Sequence, residues 1–353
     1  MEIDHTTEAV RMLSRALARA ARLGHPATGT EHLLFALLDA ETPTAKALAP
    51  RLNDAGALMG TLAAQEPTDW ISTDTVEAAV PGTTRPDAAQ DRSTDAVLRE
   101  ADRLRKKREV AAPPATPALR ACLRGATVHA DGPVVTSSHL LASLLDLPGC
   151  RAVEALRLRR VDRTTVATAL DLSAGTSPEA AAQDVLQRTG AFPSGFTGWL
   201  VQWMRGRESS MLFGAAREAK RQAVRRGRAE VDSADLLLGV LSLDRLMLQA
   251  ARGEATSSDT GAAVLAARGI DLGSLLPAAT VNPPQPLEQS LPVHGSARRV
   301  RARAHLIAAD ENAREIGTAH LVAALLEEHD GPVGDLLTAA GVHRPGSPIR
   351  PPH

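Results

Sequence analysis

The stretch that decides the fold reads Thr-Glu-His-Leu-Leu-Phe-Ala-Leu-Leu at residues 30–38. Three later segments, 137–145, 233–241 and 318–326, share its form. Each has a hydroxyl residue, any residue, His or Asp, and then an apolar run. Self-similarity of this kind is typical of proteins built from internal repeats. The chain is therefore predicted to contain four copies of one structural unit.

Each copy predicts a buried central helix. The hydroxyl residues Thr30, Ser137, Ser233 and Thr318 are good N-caps, because a side-chain oxygen can accept a hydrogen bond from a free N–H of the first helical turn. The run behind each of them is apolar on nearly every face, as in a helix enclosed by others. Each hydroxyl residue is therefore expected to start a buried helix.

Two further helices are predicted around each central one. In the first copy an amphipathic helix precedes it, with apolar residues at helical spacing and a stop at Gly24 and Pro26. A shorter helix is expected after each central helix, at residues 45–52, 151–158, 246–252 and 333–340. Such a unit is too small to bury its own apolar faces, so pairing of copies is expected.

The spacing of the copies predicts two double-repeat domains. The first is placed at 1–172, with repeats at about 1–64 and 112–172 and an insertion at 65–111; the second is placed at 208–343, with repeats at about 208–279 and 293–343. Residues 173–207 are expected to form a linker with an aromatic helix, and 344–353 a disordered tail. Four Phe, three Trp and no Tyr favour helices over sheets. The expected class is all-α.

Composition restricts the partners and the compartment. A net charge of −1 supplies no global field that would hold nucleic acid or an anionic membrane. Two cysteines are too few for a disulfide scaffold and favour a reducing compartment. No uncharged signal segment or long apolar run occurs. A cytoplasmic protein without membrane contact is expected.

The repeat resembles a known family. Residues 23–38 are similar to the N-terminal domain of the Clp unfoldases, a helical domain of two repeats with the signature Gly-Thr-Glu-His-Leu-Leu. The segment 317–321 is nearly as similar, whereas the second and third copies resemble the family mainly in spacing. The resemblance implies two tandem Clp N-terminal-like domains, each a pseudo-twofold pair of helical repeats.

Catalytic motifs are absent from the sequence. No Gly-Lys pair occurs, so the phosphate loop of an ATPase module is missing. Neither a Gly-x-Ser-x-Gly elbow nor a His-Glu-x-x-His pair is found. The residues His32, His139, Asp235 and His320 occupy one equivalent place in each copy, which favours a structural first-turn role over metal binding. No enzymatic activity, cofactor or metal is expected.

The resemblance implies a docking surface for adaptors, substrate proteins, phosphoarginine or cyclic peptides. Glu31 keeps the carboxylate that binds a guanidinium in the family, whereas Ser138, Ala234 and Ala319 replace it in the other copies. A first-turn acid favoured by the helix dipole is the alternative interpretation of Glu31. A peptide groove would be lined by Ile3, Val10, Leu13, Leu17 and, in the second domain, Phe213. Core packing is the alternative for these apolar residues.

Three functions remain open at this stage. The first is an adaptor or regulator of the Clp protease system, with the unfoldase, adaptors or substrates as partners. The second is a sequestering protein for cyclic peptide antibiotics, and a distant third is a nucleic-acid-binding regulator that would use the Arg-rich stretches 103–108 and 217–228. Phe196, Trp199 and Trp203 predict a patch that either joins the two domains or docks a partner.

Overall fold

The computed structural model describes residues 4–40, 42–49, 56–58, 60, 74, 88–105, 111–130, 134–170, 172, 178–189, 208–250, 261–279, 291–328 and 330–342. These residues are mostly helical, which confirms the predicted all-α class. Within those ranges, no helix has the length and apolarity that a membrane crossing requires. The chain divides into two compact units, Met1–Asp184 and Val185–His353.

Unit 1 contains the first two copies. Its helices are α1 (Thr7–Leu23), α2 (Thr30–Leu38), α3 (Pro43–Leu48), α4 (Ala88–Arg103), α5 (Pro117–His129), α6 (Ser137–Asp146), α7 (Arg151–Leu158) and α8 (Arg163–Ala169). Two short strands, β1 (Asp4–His5) and β2 (Val134–Val135), pair in parallel. Helix α4 lies in the predicted insertion and packs against α1. Helix α9 (Pro178–Thr189) spans the division between the units.

Unit 2 contains the third and fourth copies. Its helices are α10 (Ser210–Arg225), α11 (Ser233–Ala250), α12 (Gly261–Ala266), α13 (Leu272–Ala278), α14 (Gly295–Asp310), α15 (Thr318–Glu327) and α16 (Pro332–Ala339). Helix α11 continues through residue 246, so the separate short helix predicted at 246–252 is wrong. Apolar residues continue the buried face of α11 as far as Leu246, and the next helix is α12.

The first helix of a copy begins and ends by local chemistry. The Thr6 hydroxyl accepts a hydrogen bond from the Ala9 N–H at 3.2 Å, and Gly24 ends α1 in the left-handed conformation with φ of 68°. Gly227 ends the third copy's first helix in the same conformation, and Asn312 follows that of the fourth. The short polar side chain of Asn tolerates this backbone region better than most non-glycine residues do.

The core of unit 1 lies around the two central helices. Leu33, Leu34 and Leu37 of α2 are buried together with Leu140 and Leu144 of α6. These residues belong to the apolar runs that predicted buried helices, and burial of each leucine contributes roughly 1.5–3 kcal/mol. Helices α5 and α6 pack together, as α1 and α2 do.

Backbone bridges link the copies reciprocally in both units. In unit 1 the segment before α1 pairs with the segment before α6, and Thr28, before α2, pairs with Ala115, before α5. In unit 2 Glu208, before α10, pairs with Ile316, before α15, and Val231 pairs with Val293 in the converse sense. The entry to the first helix of one copy therefore meets the entry to the second helix of the other.

Candidate functional site

The repeated His or Asp forms the same cap in all four copies. The backbone N–H three residues earlier donates to the side chain of this residue: Gly29 to His32 Nδ1 at 3.0 Å, Thr136 to His139 Nδ1 at 3.1 Å, Asp232 to Asp235 Oδ2 at 2.9 Å and Gly317 to His320 Nδ1 at 2.9 Å. Each side chain thus satisfies a donor that the helix leaves free. The structural role expected for these four residues agrees with this geometry.

The cap also sets the histidine tautomer. A ring nitrogen that accepts from a backbone N–H is unprotonated, so in the neutral ring Nε2 carries the proton. His139 Nε2 then donates to the Leu172 carbonyl at 3.0 Å, and burial lowers the pKa of His139. His32 Nε2 lies 2.9 Å from His25 Nδ1. Among the described residues no group of three His, Cys, Asp or Glu side chains is arranged to hold a metal ion.

The predicted N-cap residues are one position too late. The N-caps of α2, α6 and α15 are Gly29, Thr136 and Gly317, and the hydroxyl residues behind them are the first residues of their helices. The same shift holds in the third copy, where Asp232 Oδ1 accepts from the Asp235 N–H. The start of each helix is set by the reciprocal cap, which frees the hydroxyl residue for another contact.

That contact is with the other copy of the same unit. Thr30 Oγ1 accepts from the Ala152 N–H of α7 at 3.3 Å, and Ser137 Oγ lies 2.9 Å from Thr44 Oγ1 of α3. In unit 2 Thr318 Oγ1 accepts from the Gly261 N–H of α12 at 3.0 Å. The Ser233 N–H donates to Ser296 Oγ of α14 at 3.2 Å. This position of the motif therefore joins paired copies, through the hydroxyl group of Thr30, Ser137 and Thr318 and through the backbone N–H of Ser233.

The N-terminus of α2 also binds a buried carboxylate, that of Asp74, which lies in the insertion predicted at 65–111. Asp74 is 1% exposed. Its Oδ2 accepts from the Thr30 N–H and from Thr116 Oγ1, each at 2.9 Å, and its Oδ1 accepts from Thr30 Oγ1 at 3.0 Å and from the Arg151 N–H at 3.3 Å. Two helix N-termini and two hydroxyl groups thus stabilise the charge of Asp74. The sequence carried no signal for this residue.

Glu31 lies beside Asp74 in a contrasting environment. It is 3% exposed, and neither of its carboxylate oxygens accepts a hydrogen bond, although Oε1 contacts His32 Nδ1. A Cβ atom added at Gly29 would lie 2.5 Å from Glu31 Oε1 and 2.6 Å from Asp74 Oδ2, so both carboxylates face the same point of the backbone. A buried carboxylate without a hydrogen bond is costly unless a cation compensates it. This pair, Glu31 with Asp74, is termed the acidic pocket below.

The third copy contains a buried ion pair where the others have histidine. The Arg226 guanidinium contacts Asp235 Oδ1, and the exposed fractions of the two side chains are 7% and 0%. Burial raises the pKa of Asp235 to about 6, and the Arg226 charge acts in the opposite direction. Arg226 directly precedes the left-handed Gly227. The repeat pattern did not predict Arg226 as the partner of Asp235, although the sequence shows its charge.

The described groove residues of unit 1 are buried in its core. Val10, Leu13 and Leu17 are 0%, 1% and 4% exposed and belong to the core of unit 1, so they present almost no surface to a ligand. This is the core-packing alternative. Phe213 is half-buried at the start of α10, with the Arg217 guanidinium 5.1 Å from its ring centroid. Ile3, Phe196, Trp199 and Trp203 lie outside the described residues, as does the predicted tail.

Comparison with known proteins adds no relative: no family model, no curated protein and no solved structure matches the chain.

Proposed function

We propose that this chain is a non-catalytic protein- or peptide-binding protein of the Clp N-terminal type, and that it acts as an adaptor or regulator of the Clp protease system. The proposal also covers the arrangement of the repeats. Each unit is a pair of Clp-like repeats, and the two units are tandem domains.

The reciprocal bridging of the copies carries the proposal. A bridge between the entry of one first helix and the entry of the other second helix occurs twice in each unit, four times in all. A pseudo-twofold pair of repeats requires such reciprocal bridges. It supports the architecture that the Gly-Thr-Glu-His-Leu-Leu signature implies through its resemblance to the Clp domains.

The hydrogen bonding of the repeated residues supports a binding role without chemistry. A general base must reach a substrate proton, and His32, His139 and Asp235 are buried in caps. The proposed recognition site is the acidic pocket, and because Glu31 is 3% and Asp74 1% exposed, a partner reaches it when the N-terminus of α2 opens locally. Glu31 is the copy-one residue that the family resemblance associates with a guanidinium, and its carboxylate lacks a hydrogen bond. A basic side chain of a partner would supply both the hydrogen bonds and the compensating charge.

The proposal is tested with the purified full chain, a purified bacterial Clp unfoldase with its peptidase, and a fluorescent unfolded substrate. We expect a complex in sedimentation velocity and a changed rate of substrate degradation. Glu31→Gln removes one of the two carboxylates of the pocket at constant size, and is expected to weaken the complex at least about fivefold. The matched control is Glu315→Gln, because Glu315 is exposed on unit 2.

Two results would overturn the proposal. One is the absence of a complex together with an unchanged degradation rate. The other is ATP or peptide-bond hydrolysis by the chain alone, since that would place chemistry in a protein proposed to have none. If Glu31→Gln and Glu315→Gln weaken the complex equally, the acidic pocket is not the recognition site, and the binding function is then assigned elsewhere on the chain.

A further inference from the structure

The outer face of α1 carries a straight row of arginines. Arg11, Arg15, Ala18 and Arg22 are all exposed, and their intervals of four, three and four residues place them on one side of the helix. At about 1.5 Å per residue the row is about 16 Å long. Arg19 lies at its edge, with its guanidinium 3.1 Å from the ring centroid of Phe35. This set of exposed residues is termed the α1 row.

The α1 row has little compensating charge of its own. Within the described ranges, Arg11, Arg15 and Arg22 form no ion pair, and Arg15 reaches only the Asp39 carbonyl at 3.5 Å. Glu8, on the same helix, accepts a hydrogen bond from Ser137 Oγ. Burial lowers the pKa of Arg19, as does the neighbouring charge of Arg22, and Asp39 opposes both. Like charges are thus crowded here, and Asp39 is the carboxylate that counteracts them at Arg19.

Several arginines on other first helices pair with carboxylates of the same chain, although Arg298 and Arg299 of α14 are exposed as the α1 row is. In the second copy Arg120 pairs with Asp95 at 2.7 Å, and Arg124 pairs with Asp91 at 3.0 Å. In the fourth copy Arg301 pairs with Glu208, and Arg303 with Glu327, each at 2.6 Å. The contrast shows that the fold can pair arginines at such positions. The arginines of the α1 row can therefore pair with carboxylates of another molecule.

We propose that the α1 row docks an acidic helical segment of a partner protein, with carboxylates four and seven residues apart, as Arg11, Arg15 and Arg22 are. This inference rests on the proposed function, because it names the chemistry of the partner that such a binding protein would take. The exposed Ala18 lies between Arg15 and Arg22 and lets a second helix approach closely, while the arginines on either side reach its carboxylates.

The geometry favours a helix over a nucleic acid. A single-stranded nucleic acid binds through a basic groove together with aromatic side chains that stack on its bases. The ring of Phe35 lies beside the α1 row, and the Arg19 guanidinium covers it. A single straight row of charges matches one face of an acidic helix.

The experiment uses the full chain and a labelled synthetic peptide of about twenty residues, in which glutamates on one helical face are spaced alternately four and seven residues apart. A second peptide of the same composition has its glutamates distributed around the helix. The variant Arg11→Gln/Arg15→Gln/Arg22→Gln removes the row, and Arg298→Gln/Arg299→Gln/Arg314→Gln removes three exposed arginines from unit 2 as a charge-matched control. Circular dichroism checks that both variants keep the wild-type helix content.

We expect the ordered peptide to bind the wild type and the control variant equally, and the row variant at least about tenfold more weakly, with an affinity that falls as salt rises. The distributed peptide is expected to bind more weakly than the ordered one. The inference is overturned if the ordered peptide does not bind, if both triple variants lose affinity equally, or if both peptides bind alike. A single-stranded RNA of matched charge that binds through the row when the peptide does not overturns it as well.

The two proposals fail separately. If peptide binding is lost but the Clp complex still depends on Glu31, only the docking inference falls. If the peptide binds through the α1 row but no Clp complex forms, the proposed Clp connection falls and the acidic-helix surface stands.

Discussion

The third and fourth copies, both in unit 2, provide the same hydrogen-bond acceptor with different side chains and different partners. Asp235 and His320 each accept a hydrogen bond from the backbone N–H three residues earlier. The partner of Asp235 is Arg226, and the partner of His320 is Glu311, with His320 Nε2 3.1 Å from Glu311 Oε2. Each partner directly precedes the left-handed residue that ends the preceding helix. The backbone N–H at this position therefore requires a hydrogen-bond acceptor in both copies. The acceptor can be Asp or His, provided that the side chain that contacts it differs as well.

The two pairs differ in their exposure to water. Arg226 and Asp235 are 7% and 0% exposed at their side chains, whereas Glu311 is 62% exposed and His320 is 13% exposed. A buried charge that loses its partner is left uncompensated in a medium of low dielectric constant, while the exposed Glu311 carboxylate stays solvated by water. Equivalent substitutions in the two copies should therefore have very different costs.

The largest effect is expected for Arg226→Leu, which introduces the residue that the first copy has at this place, Leu23. It leaves Asp235 buried without a counter-charge, so the free energy of unfolding of unit 2 should fall by about 3–5 kcal/mol. Urea denaturation followed by circular dichroism measures the loss, and hydrogen exchange of the α11 amides assigns it to unit 2.

The double variant Arg226→Leu/Asp235→His is the rescue control, because it reproduces the Leu23 and His32 combination of the first copy. We expect it to recover most of the lost stability. A loss below about 1 kcal/mol in the single variant, or the absence of recovery in the double variant, would contradict the view that acceptor and partner are chosen together.

A smaller effect is expected where the copies differ in helix packing. Gly239 follows Asp235 by the same interval as Ala324 follows His320. A Cβ atom at Gly239 would lie 2.5 Å from the Ala215 carbonyl oxygen and 2.6 Å from the Ala219 nitrogen, so α10 and α11 would have to separate. Gly239→Ala should lower the free energy of unfolding by about 1–3 kcal/mol.

The matched change in the fourth copy is Ala324→Gly, which costs about 1 kcal/mol through helix propensity alone, before any loss of packing. Thermal denaturation compares the two variants. If Gly239→Ala were neutral or stabilising, the close approach of α10 and α11 would not be a requirement of the third copy.

The smallest effect is expected for Glu311→Gln, which removes the charge from the exposed partner of His320. The cap from the Gly317 N–H remains, so the free energy of unfolding should change by less than about 1 kcal/mol. The measurement is the same urea denaturation used for Arg226→Leu. A loss as large as that of Arg226→Leu would show that burial does not distinguish the two pairs.

Sequence patterns predicted the helical elements well where periodicity was strong. The helix expected at 151–158 is α7 with the same bounds, and the helix ended by Gly24 is α1. The break expected before residue 246 is absent, because apolar residues on the buried face of α11 continue to that point. The N-cap positions were wrong by one residue, since the repeated His or Asp accepts from the residue before the hydroxyl in each copy.

The candidate site was only half visible in the sequence. Glu31 stood out through its motif, whereas Asp74 lies in a segment without periodicity and reaches Thr30 only in the folded unit. Val10, Leu13 and Leu17 follow a helical stripe, and a stripe does not distinguish a core face from a groove face. In each case the sequence does not show which distant segment covers the residue.

By itself the sequence determined the helices, the repeated acceptor at each central helix and the need for pairing, because these follow from spacing and from backbone groups within one turn. Only the tertiary structure decided which hydroxyl contacts which copy, that Asp74 joins Glu31, that Arg226 compensates Asp235, and that the α1 row lacks such compensation. Those outcomes depend on contacts between residues far apart in the chain, and burial there changes the cost of a charge by several kcal/mol.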